Sequence, residues 1–246
     1  MNLLAFDTST EWMSVAVQRG WQALPWHHSA PGGALTSTQL IPCILALMAQ
    51  AGLSFAALDA IVLGAGPGSF TGLRTACAVA QGLAFGANVP VLPVSTLLAV
   101  AEEARLQCGG GDGFCVSALL DARMDEIYFQ RYRLAAGRWS ARTGCRLIKP
   151  EHLKPADGGD DDDDEAGGTA VLAGNVFDMY GARLPGCGQQ RIAALPTAQA
   201  LLRLAPKLLA DGAGVPAAAA LPTYVRDKVA QTTLERAAQK LAGALQ

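Results

Sequence analysis

The order of hydrophobic and polar positions along the chain predicts two successive units of strands and helices. The first unit opens with strands at 2–7, 12–18 and 21–27, and a turn at Arg19-Gly20 joins the last two into an antiparallel meander. Apolar residues then recur at helical spacing, with short apolar runs between the helices. The predicted helices are 34–52, 69–86 and 95–107, and the predicted strands between them are 60–64 and 89–94.

The second unit follows a glycine-rich joint at 109–113. Its strands are predicted at 114–120, 126–135, 138–148 and 170–174, with helices near 175–183 and at 197–211. A meander followed by alternating helices and strands predicts a mixed sheet covered by helices, and two such units enclose a cleft. We therefore predict an α/β protein with the two-subdomain plan that actin, hexokinase and the Hsp70 ATPase domain share (the ASKHA fold). The subdomains are predicted at 1–108 and 109–246.

Composition narrows the class of protein. A net charge of -2 and a pI near 5.9 exclude the strong positive field typical of an independent nucleic-acid binder. Six consecutive acidic residues lie within a glycine-flanked insert at 157–168, which predicts a solvated, mobile loop, with a metal site as the alternative. The six cysteines form no C-x-x-C pair and are interpreted as reduced and structural. Apolar runs stop short of membrane-spanning length and no signal peptide is recognised, which predicts a cytoplasmic protein that does not contact a membrane.

The segment from Gly64 to Arg74 looks like a phosphate-binding loop, but its details oppose that interpretation. A P-loop requires a lysine, and the first lysine of the chain is Lys149. Ser69 occupies the place of the third glycine in a dinucleotide motif, and the residues beside it do not form G-x-S-x-G. The residues favour a strand-to-helix turn, with Ser69 or Thr71 capping the helix.

Two predicted helices carry almost no charge. Residues 34–52 contain no charged side chain, and residues 69–88 contain only Arg74. A helix without a charged face is either wholly buried or covered by a partner, and a helix that covers a sheet in a small domain is difficult to bury on every side. These helices therefore predict a protein interface, with full burial inside the chain as the alternative.

Two aspartates occupy the places where the ASKHA fold holds magnesium and phosphate. Asp7 and Thr8 end the first strand, and Asp121 ends the matching strand of the second unit. The glycine pair that should follow Asp121 is absent, so relic ligand roles and turn-capping roles stay open for these residues. No catalytic residue and no metal site are assigned; the neighbouring His27 and His28 point to opposite faces of a strand and cannot chelate one ion.

Five segments resemble one family in sequence and order. The most specific is Gly66-Pro67-Gly68-Ser69-Phe70-Thr71-Gly72-Leu73-Arg74, which resembles the signature of the TsaB family, also called YeaZ. The others are Leu4 to Ser9, Leu40-Ile41-Pro42, Asp121-Ala122-Arg123-Met124 and Pro222-Thr223-Tyr224-Val225-Arg226. After Asp121-Ala122-Arg123-Met124 the family usually has glycine, whereas this chain has Asp125. The family motif residues carried over are Gly66 to Arg74, Asp121 and Arg123.

The resemblance implies a subunit without catalytic activity or cofactor of its own. In this family the chain pairs with TsaD, a paralogue that holds the metal and the threonylcarbamoyl-adenylate and modifies N6 of adenosine 37 in tRNAs that read ANN codons. An ATPase, TsaE, docks on the pair, TsaC makes the adenylate, and tRNA is met only through the complex. The resemblance also implies a homodimer through the same surface when TsaD is absent. An ATP-dependent kinase or ATPase is the alternative that Asp7, Thr8 and Asp121 support, and a peptidase is a third.

The family's pairing surface is formed by the first two helices, which are also the two uncharged helices here. The resemblance and the missing charge thus predict the same interface. The predicted contact residues are Leu40, Ile44, Leu47, Met48, Leu73, Arg74, Cys77, Ala80, Gln81 and Ala84.

Overall fold

A computed structural model describes residues 1–20, 24–154, 171–185 and 189–225 of the chain. The acidic insert predicted at 157–168 lies outside the described residues. So do Arg226 of the C-terminal motif, Cys187 and the beginning of the strand predicted at 21–27.

The first sheet contains five strands in the order β3-β2-β1-β4-β5. Its strands are β1 (Leu3–Asp7), β2 (Trp12–Gln18), β3 (Trp26–Pro31), β4 (Ala60–Gly66) and β5 (Val91–Ser95). The first three form the predicted antiparallel meander, and β4 and β5 continue the sheet in parallel. The central strands are apolar on both faces, which predicts a layer of helices on each side.

The second sheet repeats this plan in the order β11-β10-β6-β7-β8, with β9 also paired to β7. Its strands are β6 (Cys115–Asp121), β7 (Ile127–Ala135), β8 (Arg138–Ala141), β9 (Arg146–Ile148), β10 (Val171–Gly174) and β11 (Arg191–Ala193). Two mixed sheets flanked by helices confirm the predicted ASKHA architecture.

Five helices complete the fold: α1 (Thr36–Gln50), α2 (Phe70–Ala87), α3 (Thr96–Cys108), α4 (Phe177–Tyr180) and α5 (Ala198–Ala210). Helices α1 and α2 cover one face of the first sheet, and α5 covers the other. Helix α3 packs mainly on the second sheet and also contacts α5. Ser69, Ser95 and Thr197 cap α2, α3 and α5 through their side-chain oxygens, and Ser69 rather than Thr71 is therefore the N-cap of α2.

The division of the chain differs from the predicted one in one respect. Residues 109–246 were assigned to the second subdomain, but α5 packs on the first sheet, and Val215 pairs with Val91 of β5. The order of elements along the chain could not show that α5 packs on the first sheet, because both sheets have an apolar face that a helix can cover. The chain therefore returns to the first subdomain after building the second.

Smaller differences follow from weak local patterns. Residues 138–148 form two strands rather than one, the helix predicted at 175–183 is a single turn, and β11 was not predicted because three residues are too few to show a pattern. Strand β3 lies later than predicted, because it is an exposed edge strand without an apolar face. No helix in the described ranges is long and apolar enough to span a bilayer.

Candidate functional site

The glycine-rich segment packs against the turn after β1. The amide of Ser69 donates to the carbonyl oxygen of Ser9 (2.7 Å), and the hydroxyl of Thr8 donates to the carbonyl oxygen of Gly72 (2.8 Å). A Cβ at Gly72 would overlap the carbonyl oxygen of Thr8. Glycine is therefore required at position 72, because only a residue without a Cβ lets the two backbone segments approach this closely.

The same segment also contacts the C-terminal motif, about 150 residues away in sequence. The amide of Thr223 donates to the carbonyl oxygen of Ala65 (2.7 Å), and a Cβ at Gly66, which has φ +118°, would overlap the carbonyl oxygen of Thr223. Two segments recognised separately in the sequence therefore form one packed unit. The loop meets the protein's own backbone at these points, which supports the turn interpretation over a phosphate cradle.

Asp7 lies at the end of β1 and is fully buried. Its Oδ1 accepts hydrogen bonds from the amide (2.8 Å) and hydroxyl (2.7 Å) of Ser9, while Oδ2 has no hydrogen-bond partner among the described residues. Oδ2 is packed where Gly64 leaves room, since a Cβ at that position would overlap it. Burial raises the pKa of Asp7 to about 7, and the two bonds from Ser9 oppose the rise only in part.

Asp121 ends β6 on the other side of the cleft, and its carboxylate is held by its own subdomain. Oδ1 accepts from the amide of Arg123 (2.8 Å) and the hydroxyl of Tyr180 (3.0 Å), and Oδ2 lies 3.4 Å from the Arg123 guanidinium. Asn175 caps the same strand by accepting from the Asp121 amide (2.9 Å). Asp121 therefore acts as a turn cap in this structure.

Arg123 also reaches across the cleft. Its guanidinium pairs with Glu11 in the turn between β1 and β2, which belongs to the other subdomain. Arg123, Met124 and Asp125 all have left-handed backbone angles, with φ of 62°, 56° and 61°. A left-handed backbone costs conformational energy in any residue other than glycine, and here it occurs three times in succession. The hairpin therefore holds Arg123 in place under strain.

These side chains do not fit a magnesium phosphate group, which the ASKHA fold implies at this position. The carboxyl of Asp7 does not line the cleft, and burial raises its pKa to about 7, so it is only partly ionised near neutral pH and is weakened as a magnesium ligand. Thr8 and Asp121 are engaged internally, and a guanidinium stands beside Asp121. Within the part of the chain that the structure describes, no three His, Cys, Asp or Glu side chains are grouped to hold a metal ion.

An ionic network that the sequence did not reveal joins the helices behind the cleft. Glu102 of α3 is buried and accepts hydrogen bonds from Arg105 (2.7 and 2.8 Å), Arg203 of α5 (2.9 Å) and the indole of Trp139 in β8 (3.1 Å). Burial would raise the pKa of Glu102, but these partners outweigh it and lower the pKa below its usual range. The network links both subdomains through one charged carboxylate. The adjacent acids Glu102 and Glu103 were the only signal for it in the sequence.

The predicted interface residues divide sharply in the structure. Eight of the ten are buried, and all of these except Leu73 belong to the core between α1, α2 and the first sheet, so they are closed off from a partner. These residues are Leu40, Ile44, Leu47, Met48, Leu73, Cys77, Ala80 and Ala84. Their prediction as contact residues is corrected, because the apolar spacing used to select them marks the face of each helix that the sheet covers.

The remaining two residues contact the C-terminal segment of the same chain. The Arg74 guanidinium lies 3.9 Å from the centre of the Phe70 ring and donates to the hydroxyl of Tyr224 (3.0 Å). The side chain of Gln81 donates to the carbonyl oxygen of Ala220 (3.0 Å). Both residues therefore hold the C-terminal segment against α2.

The outer faces of α1 and α2 are uncharged apart from Arg74, and between the polar residues at the ends of α1 they expose apolar side chains. Helix α1 exposes Ile41 and Leu45, and α2 exposes Ala78, Gly82 and Phe85. The Phe85 side chain is 85% exposed, which is unusual for a large aromatic residue. The two helices contact each other, so these residues belong to one surface, which we call the α1–α2 face.

Comparisons with known proteins agree on one group of relatives. A family model described as "TsaD: tRNA N6-adenosine threonylcarbamoyltransferase" matches residues 33–180. The tRNA threonylcarbamoyladenosine biosynthesis protein TsaB of Escherichia coli is 31% identical over 244 residues, which cover 94% of this chain and 96% of that protein. TsaB of Haemophilus influenzae is 42% identical over 132 residues, 53% of each chain. The solved structure of YeaZ from Pseudomonas aeruginosa superposes with a TM-score of 0.78 at 38% identity, covering 91% of this chain and 99% of that one.

Proposed function

The chain belongs to the TsaB (YeaZ) family of tRNA threonylcarbamoyladenosine biosynthesis proteins, and from this we propose that it is a non-catalytic subunit that binds and activates TsaD. TsaD transfers the threonylcarbamoyl group to N6 of adenosine 37 in tRNAs that read ANN codons. The match to the TsaD family model over 33–180 supports a common fold for the two subunits. The net charge of -2 favours contact with tRNA only through the complex.

The observation that carries this proposal is the α1–α2 face. Surface helices of a monomer normally present charged side chains to water, whereas this face exposes Ile41, Leu45 and Phe85 with Arg74 as its one charge. A contiguous apolar surface marks a site of protein contact. The small residues Ala78 and Gly82 allow a partner helix to approach α2 closely. TsaD binds here, and a second copy of the chain uses the same face when TsaD is absent.

The internal hydrogen bonds of three residues at the cleft support the proposal that partner subunits, and not this chain, bind ATP and the metal ion. Asp7, Thr8 and Asp121 are engaged in internal hydrogen bonds, so they are poorly placed to bind ATP and magnesium. ATP and the metal ion are therefore held by partner subunits, TsaD and the ATPase TsaE. TsaE docks on the assembled pair.

The proposal is tested by reconstituting tRNA modification from purified TsaC, TsaD and TsaE with ATP, threonine, bicarbonate and unmodified tRNA. Mass spectrometry of the digested tRNA should detect threonylcarbamoyladenosine only when this chain is present. Full modification without the chain would overturn the proposal. In a parallel calorimetric titration, binding of Mg-ATP by the isolated chain would instead support the kinase or ATPase alternative.

The interface is tested with two matched substitutions. Leu45 on α1 and Leu106 on α3 are exposed to the same extent, 52% and 50%, and both lie on helices. Leu45→Glu places an unpaired charge in the α1–α2 face and should weaken TsaD binding by about a hundredfold or more, because burying a charge without a partner is costly. Leu106→Glu should bind TsaD like the parent chain. Equal affinities of the two variants in surface plasmon resonance would contradict the assignment of this face.

A further inference from the structure

The interdomain cleft encloses about 1000 Å³ and has an apolar rim formed by both subdomains. Trp12 and Phe70 line it from the first subdomain, and Met124 and Met179 line it from the second. These four side chains are between 37% and 60% exposed. Aromatic residues and methionine are enriched at protein interfaces, and methionine adapts its shape to irregular partners. The rim is therefore suited to contact apolar side chains.

The charges lining the cleft have the opposite sign to those of a phosphate site. The described residues that line it include four carboxylates and one guanidinium. The carboxylates belong to Glu11, Glu103, Asp121 and Asp178, and the guanidinium belongs to Arg123. Arg203 pairs with Glu103 from outside the lining (2.8 Å), and the balance stays negative when it is included. A negative cavity repels nucleotides and RNA and attracts cations.

We propose that this cleft binds a basic segment of a partner protein that carries bulky apolar side chains. Lysine or arginine residues of the segment face the carboxylates, and its apolar side chains contact the rim of Trp12, Phe70, Met124 and Met179. The charge of the lining and the apolar rim select this class of ligand over an acidic peptide or a nucleic acid. This site is separate from the α1–α2 face and does not depend on pairing with TsaD.

The pair between Glu11 and Arg123 gives the segment a point of entry. Both side chains are well exposed, 74% for Glu11 and 60% for Arg123. An exposed ion pair contributes only about 0–1 kcal/mol. A lysine or arginine of the partner can therefore replace Arg123 at Glu11 at little cost. Asp178, on α4, is exposed on the opposite wall and offers a second carboxylate.

The test uses the purified full-length chain and fluorescein-labelled peptides of twelve residues. The probe alternates lysine with leucine and tryptophan; in one control peptide glutamate replaces lysine, and in a second serine replaces the apolar residues. Fluorescence anisotropy at physiological ionic strength should show binding of the probe alone. Equal binding of the serine peptide would mean that charge acts without the rim and would overturn the proposal.

Substitutions locate the binding. Asp178→Lys should lower the affinity for the probe by about tenfold or more. Asp112→Lys makes the same charge change on an exposed loop away from the cleft and should have little effect on this affinity. Trp12→Ala and Met179→Ala should each weaken it by about threefold to tenfold, with Leu106→Ala as the control. Circular dichroism checks that each variant is folded.

Two further outcomes would overturn the proposal. One is equal loss of affinity in Asp178→Lys and Asp112→Lys, which would mean that the overall acidity of the chain attracts the probe. The other is displacement of the probe by Mg-ATP or by a single-stranded oligouridylate, which would assign the cleft to a nucleotide or to RNA. Because TsaD is absent from the assay, failure here leaves the proposed TsaD contact standing, and failure of that contact leaves this one standing.

Discussion

The α1–α2 face and the interdomain cleft are both open to partners, but they differ in how their polar groups are used. In the cleft, Asp121 and Glu11 are held by Arg123. Behind it, Thr8 donates to the carbonyl oxygen of Gly72, and Asp7 accepts from Ser9. The α1–α2 face has Arg74 as its one charged side chain, and it exposes the apolar side chains of Ile41, Leu45 and Phe85. The position expected to hold ligands in this fold is thus occupied by internal contacts, while a surface that covers the first sheet is left available for a protein partner.

The largest expected effect is the difference in stability between a substitution on the buried side of helices α1 and α2 and one on their exposed side. Leu73→Glu buries a carboxylate at a position that is only 1% exposed and lies beside Gly66, and should cost more than about 4 kcal/mol of unfolding free energy. Leu45→Glu, on the outer side, should change stability by less than about 0.5 kcal/mol. Urea unfolding followed by circular dichroism measures both.

The expected difference between the two sides would be contradicted if Leu73→Glu unfolded cooperatively at a urea concentration close to that of the parent chain. Leu73 would then be accessible to solvent, and its original assignment to the interface would return. Strong destabilisation by Leu45→Glu would place the outer side of α1 within the core.

The second prediction concerns the buried carboxyl behind the cleft. The pKa of Asp7 is raised from 3.8 to about 7 by burial, so the folded protein binds this proton more tightly than the unfolded chain does. Stability from this group is complete below about pH 3.8 and is lost as the pH rises towards about 7. Asp7→Asn removes this loss and should be more stable than the parent chain at pH 8, by at most about 4 kcal/mol.

Urea titrations at pH 5, 6, 7 and 8 check this effect. The difference in unfolding free energy between Asp7→Asn and the parent should grow with pH up to about 7 and then level off. Asp112→Asn, at an exposed position, serves as the control and should show a difference that is constant with pH. A constant difference for Asp7→Asn as well would mean that Asp7 is ionised in the folded protein at low pH.

The sequence predicted the fold well where hydrophobic patterns are long. Helices α1, α2, α3 and α5 lie within two residues of their predicted bounds, because each has an apolar face and three of them have a side-chain cap. Strand β11 and the early part of β3 were missed or displaced, because three residues or an exposed edge give no periodic signal. The crossing of α5 to the first sheet depends on tertiary packing that no local pattern contains.

The candidate site was predicted less well for a related reason. Periodicity identifies the side of a helix that is apolar, and at Ile44 of α1 and Cys77 of α2 that side packs on the first sheet. The outer residues Ile41 and Leu45 are also apolar, so composition alone cannot divide the two sides. The contacts of Thr223 with Ala65 and Gly66 could not be predicted, because the two segments are far apart in sequence. The motifs themselves were recognised correctly.

The smallest expected effect tests the strained hairpin that holds Arg123 in the cleft. Met124 has a left-handed backbone with φ 56°, which costs about 1 kcal/mol or more for a residue with a side chain. Met124→Gly relieves that cost but raises the entropy of the unfolded chain, which offsets about half of the gain. The variant should therefore be more stable by about 0.5 kcal/mol. The same substitution at Met179, in the right-handed turn of α4, has no strain to relieve and should destabilise the protein. Opposite signs in paired urea titrations would attribute the gain to the backbone of the hairpin, whereas destabilisation by both would mean that the hairpin adopts its shape without strain.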